Sequence, residues 1–189
     1  MRDEVLARRK LLNRPWHGPP HFTGQQTSQY LITGTCYEHT PILGAAHERM
    51  DVFVPLLHQA FEEVHAIIHA WCVLPNHYHV LTTTSDLPAL LARLGKLHGS
   101  TSFTWNGVDN ARGRQCWHRA SDRAMRSEAH VWATVNYVHH NPVKHGYVAK
   151  WTDWPWSSAH DYLREKGRDE AARIWKAYPL GDYGNGWDD

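Results

Sequence analysis

Pro75-Asn76-His77-Tyr78-His79-Val80-Leu81 is the stretch from which the rest of the chain can be read. Two histidines flank one bulky residue, and the apolar residues behind them read as a strand. Side chains alternate across a strand, so His77 and His79 share one face and Tyr78 takes the other. Same-face neighbours lie roughly 6.5–7 Å apart at the backbone, close enough for two imidazoles to converge on one cation. The plain alternative is a pair of strand histidines facing solvent or a polar pocket. Ahead of this stretch, Ala66 to Val73 is rich in isoleucine, valine and tryptophan and reads as another strand. Pro75-Asn76 turns the chain, so the two strands form an antiparallel hairpin. Both are largely apolar and are expected in the middle of a sheet.

Working outward, Tyr30 to Tyr37 alternates with β-branched residues and reads as a first strand. Phe53, Leu56, Leu57, Ala60, Phe61 and Val64 recur at helical spacing, which predicts a helix with Asp51 as N-cap and Pro55 near its first turn. After the hairpin, Ser85 or Asp86 caps a second helix, with Pro88 in its first turn and Leu87, Leu90, Leu91, Leu94 and Leu97 as its buried stripe. Asn106 to Gly113 reads as a loop and Gln115 to Arg119 as a short fourth strand. Ser127 opens a third helix that runs to about His139. Pro142 disfavours helical geometry at Asn141, so the helix is expected to end or kink there. The order β-α-β-β-α-β predicts an α+β fold: a ferredoxin-like antiparallel sheet of four to five strands with helices packed on it. Residues 1–29 read as a basic N-terminal arm, 30–163 as the domain, and 164–189 as a C-terminal tail that frays from Gly181.

The chain of 189 residues fits one domain. No apolar run approaches the ~18–20 residues of a membrane span, and the charged start lacks a signal-peptide core, so a cytoplasmic protein with no membrane partner is expected. Cys36, Cys72 and Cys116 are widely spaced and fit reduced thiols in a core. The net charge of +1 conceals an uneven distribution. Residues 1–20 carry five basic against two acidic side chains, and residues 112–150 carry five arginines and two lysines against Asp122 and Glu128, a net of +5. Residues 151–189 are net −3. A polyanion-binding face leaves such a footprint, although solvated helix faces leave it too. Ten tryptophans can stack on unpaired bases or fill core.

A second stretch, Asn136-Tyr137-Val138-His139-His140-Asn141-Pro142-Val143-Lys144, gives the histidine pair its context. A third patch, Trp154-Pro155-Trp156-Ser157-Ser158, has Tyr162-Leu163 behind it. With Leu74 to Leu81, these three patches in this order resemble the tyrosine transposases of the HUH nuclease superfamily, and among them the REP-associated branch. The likeness runs from about Tyr30 to Leu163. It implies the HUH nuclease fold and a metal-dependent endonuclease and strand transferase acting on single-stranded or hairpin DNA. In that reading Tyr137 is the nucleophile, forming a covalent phosphotyrosine that conserves the bond energy for rejoining. His77 and His79 hold a divalent ion, Mg2+ or Mn2+ by the resemblance, that polarises the scissile phosphate.

The resemblance also implies a third, oxygen-donating ligand one helical turn after the tyrosine. Asn141 stands four residues on, which places it on the same helix face. It can equally cap the helix end. His139 and His140 are rival ligands or phosphate contacts. Candidate DNA contacts are Arg8, Arg9 and Lys10 in the arm, Arg119, Arg123 and Arg126 before the third helix, and Lys144. The stretch Cys116 to Ser127 departs from the strand pair such enzymes carry there. The assembly is expected to be a monomer or a homodimer. The competing reading is a non-catalytic hairpin DNA-binding protein on the same fold. A zinc hydrolase would need a water-activating carboxylate, and no Asp or Glu lies within five residues of either histidine.

Overall fold

The computed structural model describes residues 28–184. Four strands, β1 (Ser28–Thr35), β2 (Ile67–Val73), β3 (His77–Thr84) and β4 (Ser121–Ala124), form one antiparallel sheet in the order β2-β3-β1-β4. Helices α1 (His47–Glu62) and α2 (Leu87–Val108) follow β1 and β3, and α3 (Glu128–Lys144) follows β4. Two further helices, α4 (Ala159–Lys166) and α5 (Arg168–Ala177), close the described chain. This is the expected α+β, ferredoxin-like arrangement.

Strand alternation on β3 assigns the two faces of the sheet. Tyr78 points toward α1 and α2, where its ring meets Phe53 and its hydroxyl meets His98 Nε2 at 3.0 Å. Burial raises the Tyr78 phenol far above its ordinary range, so it stays protonated. Gly34 lies opposite Tyr78 in the β1–β3 register. A Cβ there would stand 2.2 Å from Tyr78 Cε1, so the ring occupies the space a larger residue would need. The other face carries His77 and His79 and is covered by α3, since the Tyr137 ring packs on His79.

Several sequence expectations are corrected by tertiary contacts. β1 begins and ends two residues earlier than read, because Tyr37 turns into a short 3-10 segment, Tyr37–His39, with Glu38 at φ 52°. α1 starts at His47, not Asp51, and Pro55 sits in its third turn at the cost of one backbone bond. Asp51 does not cap. Its carboxylate accepts from Trp156 Nε1 at 2.8 Å. α2 does use Asp86 as N-cap, through Ala89 N–H, but runs on to Val108 through residues expected to begin a loop. Gln115 to Arg119 makes only a single bridge between Cys36 and Trp117, and the fourth strand is Ser121–Ala124. Trp117 is taken up by packing: its ring stacks on His98 at 4.3 Å, and its Nε1 donates to Thr101.

β2 is an edge strand, not a central one. Its apolar C-terminal half is covered by the tryptophan-rich patch. Val73 N–H donates to the Trp156 carbonyl at 2.8 Å, Ser158 N–H to the Trp71 carbonyl at 3.0 Å, and Trp154 Nε1 to the Val73 carbonyl at 2.8 Å. The patch thus hides a row of backbone groups that an open edge would expose. Residues beyond 163 hold α5, with Ala171 and Ile174 buried, and the chain packs as far as Gly184. The reading of a tail frayed from Gly181 is corrected for residues 181–184.

A candidate nuclease site between the sheet and helix α3

Ser127 opens α3 as expected, accepting the His130 N–H at 3.1 Å. The helix does not stop near His139. It continues through Pro142 to Lys144, and His145 N–H bonds the Asn141 carbonyl at 3.1 Å. Proline removes one N–H, but packing of the helix against the sheet holds the segment helical. The consequence is that Tyr137 and Asn141 keep their i, i+4 relation and project together toward β3.

Four of the predicted residues meet there. The Tyr137 hydroxyl lies 3.3 Å from His79 Nε2, and Asn141 Oδ1 lies 3.0 Å from His77 Nε2. The two imidazole centroids are 5.0 Å apart. His77, His79 and Tyr137 are each 1% exposed, and Asn141 is fully buried. Each ring is anchored through its other nitrogen, an arrangement that orients metal-ligating histidines. His79 Nδ1 meets Thr33 Oγ1 at 2.8 Å, and His77 Nδ1 meets Asn76 Oδ1 at 2.8 Å. The Asn76 amide is itself oriented, because its Nδ2 donates to the His39 carbonyl.

This geometry tests whether a cation fits. A neutral His77 that donates from Nδ1 presents a lone pair at Nε2. That lone pair faces the Asn141 amide oxygen, so two acceptors confront each other at 3.0 Å. A cation between them removes the conflict. Donors about 2.1 Å from one ion and at right angles to each other lie about 3 Å apart, which matches the spacing. His77, His79 and Asn141 could therefore hold a divalent ion. Among the described residues no group of three or more His, Cys, Asp or Glu is arranged as a metal site, so the candidate set rests on the amide oxygen as its third donor.

The rival histidines point elsewhere. His139 is buried against Ser158, Nε2 to Oγ at 2.8 Å, and burial pushes its imidazole down to about 3. It is neutral and directed at Ser158 beside the β2 edge, not at the His77–His79 pair. His140 packs beside Trp175 on the far side of α3. Sequence reading did not single out His145, whose ring lies 5.1 Å from that of His77. Nor did it single out Thr33, or Tyr183 and Gly184. The Tyr183 ring packs edge-on against Tyr137 at 5.7 Å, and a Cβ on Gly184 would come within 2.1 Å of Tyr137 Cε2. The described C-terminus thus lies directly on the Tyr137 ring. Lys144 sits 5.4 Å over the same ring and donates to the Gly184 carbonyl at 2.9 Å.

The arginine candidates separate. Arg123 pairs with Leu31 in the β1–β4 register, and Thr33, two residues on, carries its hydroxyl to His79. Arg123 is therefore on the histidine face of the sheet. Arg126 precedes the α3 N-cap, its N–H directed to His130 Nδ1. Arg119 lies apart, lining a groove beside Gly95 and Gly99 of α2. Arg8, Arg9 and Lys10 fall outside the described residues.

A central-strand histidine pair facing a helix-borne tyrosine defines the class of protein to compare. A REP-associated tyrosine transposase of Escherichia coli is 31% identical over 101 residues, covering 49% of this chain and 54% of that protein. A Haemophilus influenzae protein named for the same activity is 32% identical over 130 residues, covering 62% of this chain and 66% of its own length. The matches thus span between about half and two thirds of these relatives. A solved REP-associated tyrosine transposase bound to a REP hairpin shares the fold, with a TM-score of 0.61 at 20% identity over 82% of this chain and 88% of that one. No family model matches the chain. The resemblance to REP-associated tyrosine transposases is therefore one of sequence as well as of fold. No helix among the described residues is long and apolar enough to cross a membrane.

Proposed function

We propose that the chain is a metal-dependent single-strand DNA endonuclease and strand transferase, a transposase that acts on hairpin repeats through a 5′-phosphotyrosine intermediate. The observation that carries the reading is the approach of the Tyr137 hydroxyl to His79 Nε2 at 3.3 Å, beside the His77–Asn141 pair. A protein that only binds DNA needs none of these contacts. The names of the two relatives, and the hairpin bound to the solved one, support the same substrate class.

In the reaction the Tyr137 oxygen forms a bond to the scissile phosphorus and releases its proton. The bond from phosphorus to the 3′ oxygen breaks, and that oxygen leaves with a proton. The 5′ end stays on the enzyme, and attack by a 3′ hydroxyl reverses the step and joins strands. His77, His79 and Asn141 would hold Mg2+ or Mn2+, which supplies polarisation of the phosphate and neutralisation of developing charge. Thr33 and Asn76 keep the two imidazoles aimed inward. Lys144 and Arg123 bring positive charge to the face where phosphates must lie. Arg119, Arg126, Arg8, Arg9 and Lys10 are proposed as further backbone contacts. A cytoplasmic setting fits three buried free cysteines.

The experiment is a cleavage assay on single-stranded hairpin DNA with Mg2+, Mn2+ or chelator. Cleavage that needs the ion and is lost in Tyr137→Phe is expected. Tight hairpin binding with no cleavage under any ion would favour the non-catalytic binder instead.

A further inference from the structure

We infer that the cavity on the far side of α3 is a subsite for one unpaired nucleotide; the inference rests on the DNA reading above and adds a place where the strand is held. The cavity measures about 660 Å3, within the ~300–1,000 Å3 usual for ligand sites, and lies between α3, the turn Trp151–Asp153, α4 and α5.

Its walls suit a nucleobase. Trp151 stacks on His139 with ring centroids 5.7 Å apart and planes at 21°, and Trp175, 38% exposed, packs beside His140 at 5.3 Å. Base-on-aromatic stacking accepts any base, because each has a π face. The rim suits a phosphate: Lys150, Arg168 and Lys176 line it against the single carboxylate of Asp153. His139 cannot serve as the cation, since burial holds it neutral and Ser158 occupies its Nε2. The Tyr162 ring extends the aromatic wall, 4.9 Å from that of His139.

The placement also fits a strand path. α3 presents Tyr137 and Asn141 to the sheet, and His140 and Val143 to the cavity. An α-helix with its side chains is about 10–12 Å across. A strand with its scissile phosphate at Tyr137 can therefore set a nearby unpaired nucleotide in the cavity.

The test is binding, measured apart from cleavage. Fluorescence anisotropy of a labelled, unstructured eight-nucleotide DNA is titrated with the wild type, Trp175→Ala and Arg168→Gln, both exposed positions whose change spares the core. Each variant is expected to weaken binding on the order of tenfold. Competition with dAMP separates the sources. Displacement of the oligomer by dAMP only at far higher concentration assigns the cavity to DNA, whereas dAMP binding that the oligomer does not displace assigns it to free nucleotides. Wild-type affinity in both variants, for oligomer and dAMP alike, would overturn the inference. Adduct formation on hairpin DNA by the wild type reads the nuclease proposal separately. An adduct with unaffected variants removes the subsite alone, and weakened variants without any adduct remove the chemistry alone.

Discussion

Lowering the pH from 8 to 5 is expected to destabilise the fold through two buried histidines. Burial pushes His98 down to about 4 and His139 down to about 3. In the unfolded chain both titrate near ~6.5. Below that value the unfolded state binds protons that the folded state refuses, so stability falls as pH falls. Each pH unit below 6.5 costs about 1.4 kcal/mol per histidine, hence about 2 kcal/mol each at pH 5 and about 4 kcal/mol for the pair. At pH 5 the loss is set by the unfolded value, because both folded values lie well below. For a chain of this size the melting temperature should drop by about 8–16 °C. His58, His69, His130 and His140 are shifted down as well and act in the same direction. The carboxyls of Asp109, Glu63 and Glu170 are held low by arginine partners and titrate below this window. The assay is thermal denaturation followed by circular dichroism at pH 8 and pH 5, with His98→Gln and His139→Gln each expected to shrink the drop by about 4–8 °C. Equal melting temperatures at the two pH values, or a full drop in both variants, would refute the reasoning.

Other outcomes follow from the same geometry. His77→Ala should abolish ion-dependent cleavage while hairpin binding by gel shift stays near wild type, and Thr33→Val, which frees the His79 ring, should weaken metal affinity by about 10–100-fold in a titration with Mn2+. Hairpin affinity should fall linearly on a log–log plot against salt, with a slope set by the phosphates contacted, and Arg123→Ala should reduce that slope by about 1. Gly184→Ala cannot keep its place 2.1 Å from Tyr137 Cε2, so the segment should lift. Tyr137 should then be iodinated faster than in the wild type, as read by peptide mass spectrometry.

The histidine face was legible because period two needs no tertiary information: β3 begins at His77, directly after the Pro75-Asn76 turn, and Tyr78 points away from the histidines. The α3 N-cap was legible for the same local reason, a serine ahead of the helical pattern. Pro142 misled because local preference argues for a break, while packing against the sheet carries the helix on through Lys144. β2 misled because its apolar half is covered by the Trp154–Ser158 patch and not by a second strand, a contact across some 85 residues that no local pattern reveals. The fourth strand was misplaced because Trp117, a strand-like residue, is drawn into the stack with His98 and Phe53. Tyr183 and Gly184 sit in a stretch that looks like a tail, and only the fold brings them onto the Tyr137 ring.

The central claim is that Tyr137 is the residue that joins DNA. Tyr137→Phe removes one oxygen, keeps the ring between Lys144 and Tyr183, and gives up the long hydrogen bond to His79, so stability should change by about 1 kcal/mol. Hairpin DNA labelled on the 3′ side of the cleavage point, incubated with Mn2+ and run under denaturing conditions, should migrate with the wild-type protein and not with the Phe variant. A labelled adduct on Tyr137→Phe, or a wild-type adduct mapped to any other residue, would contradict the account.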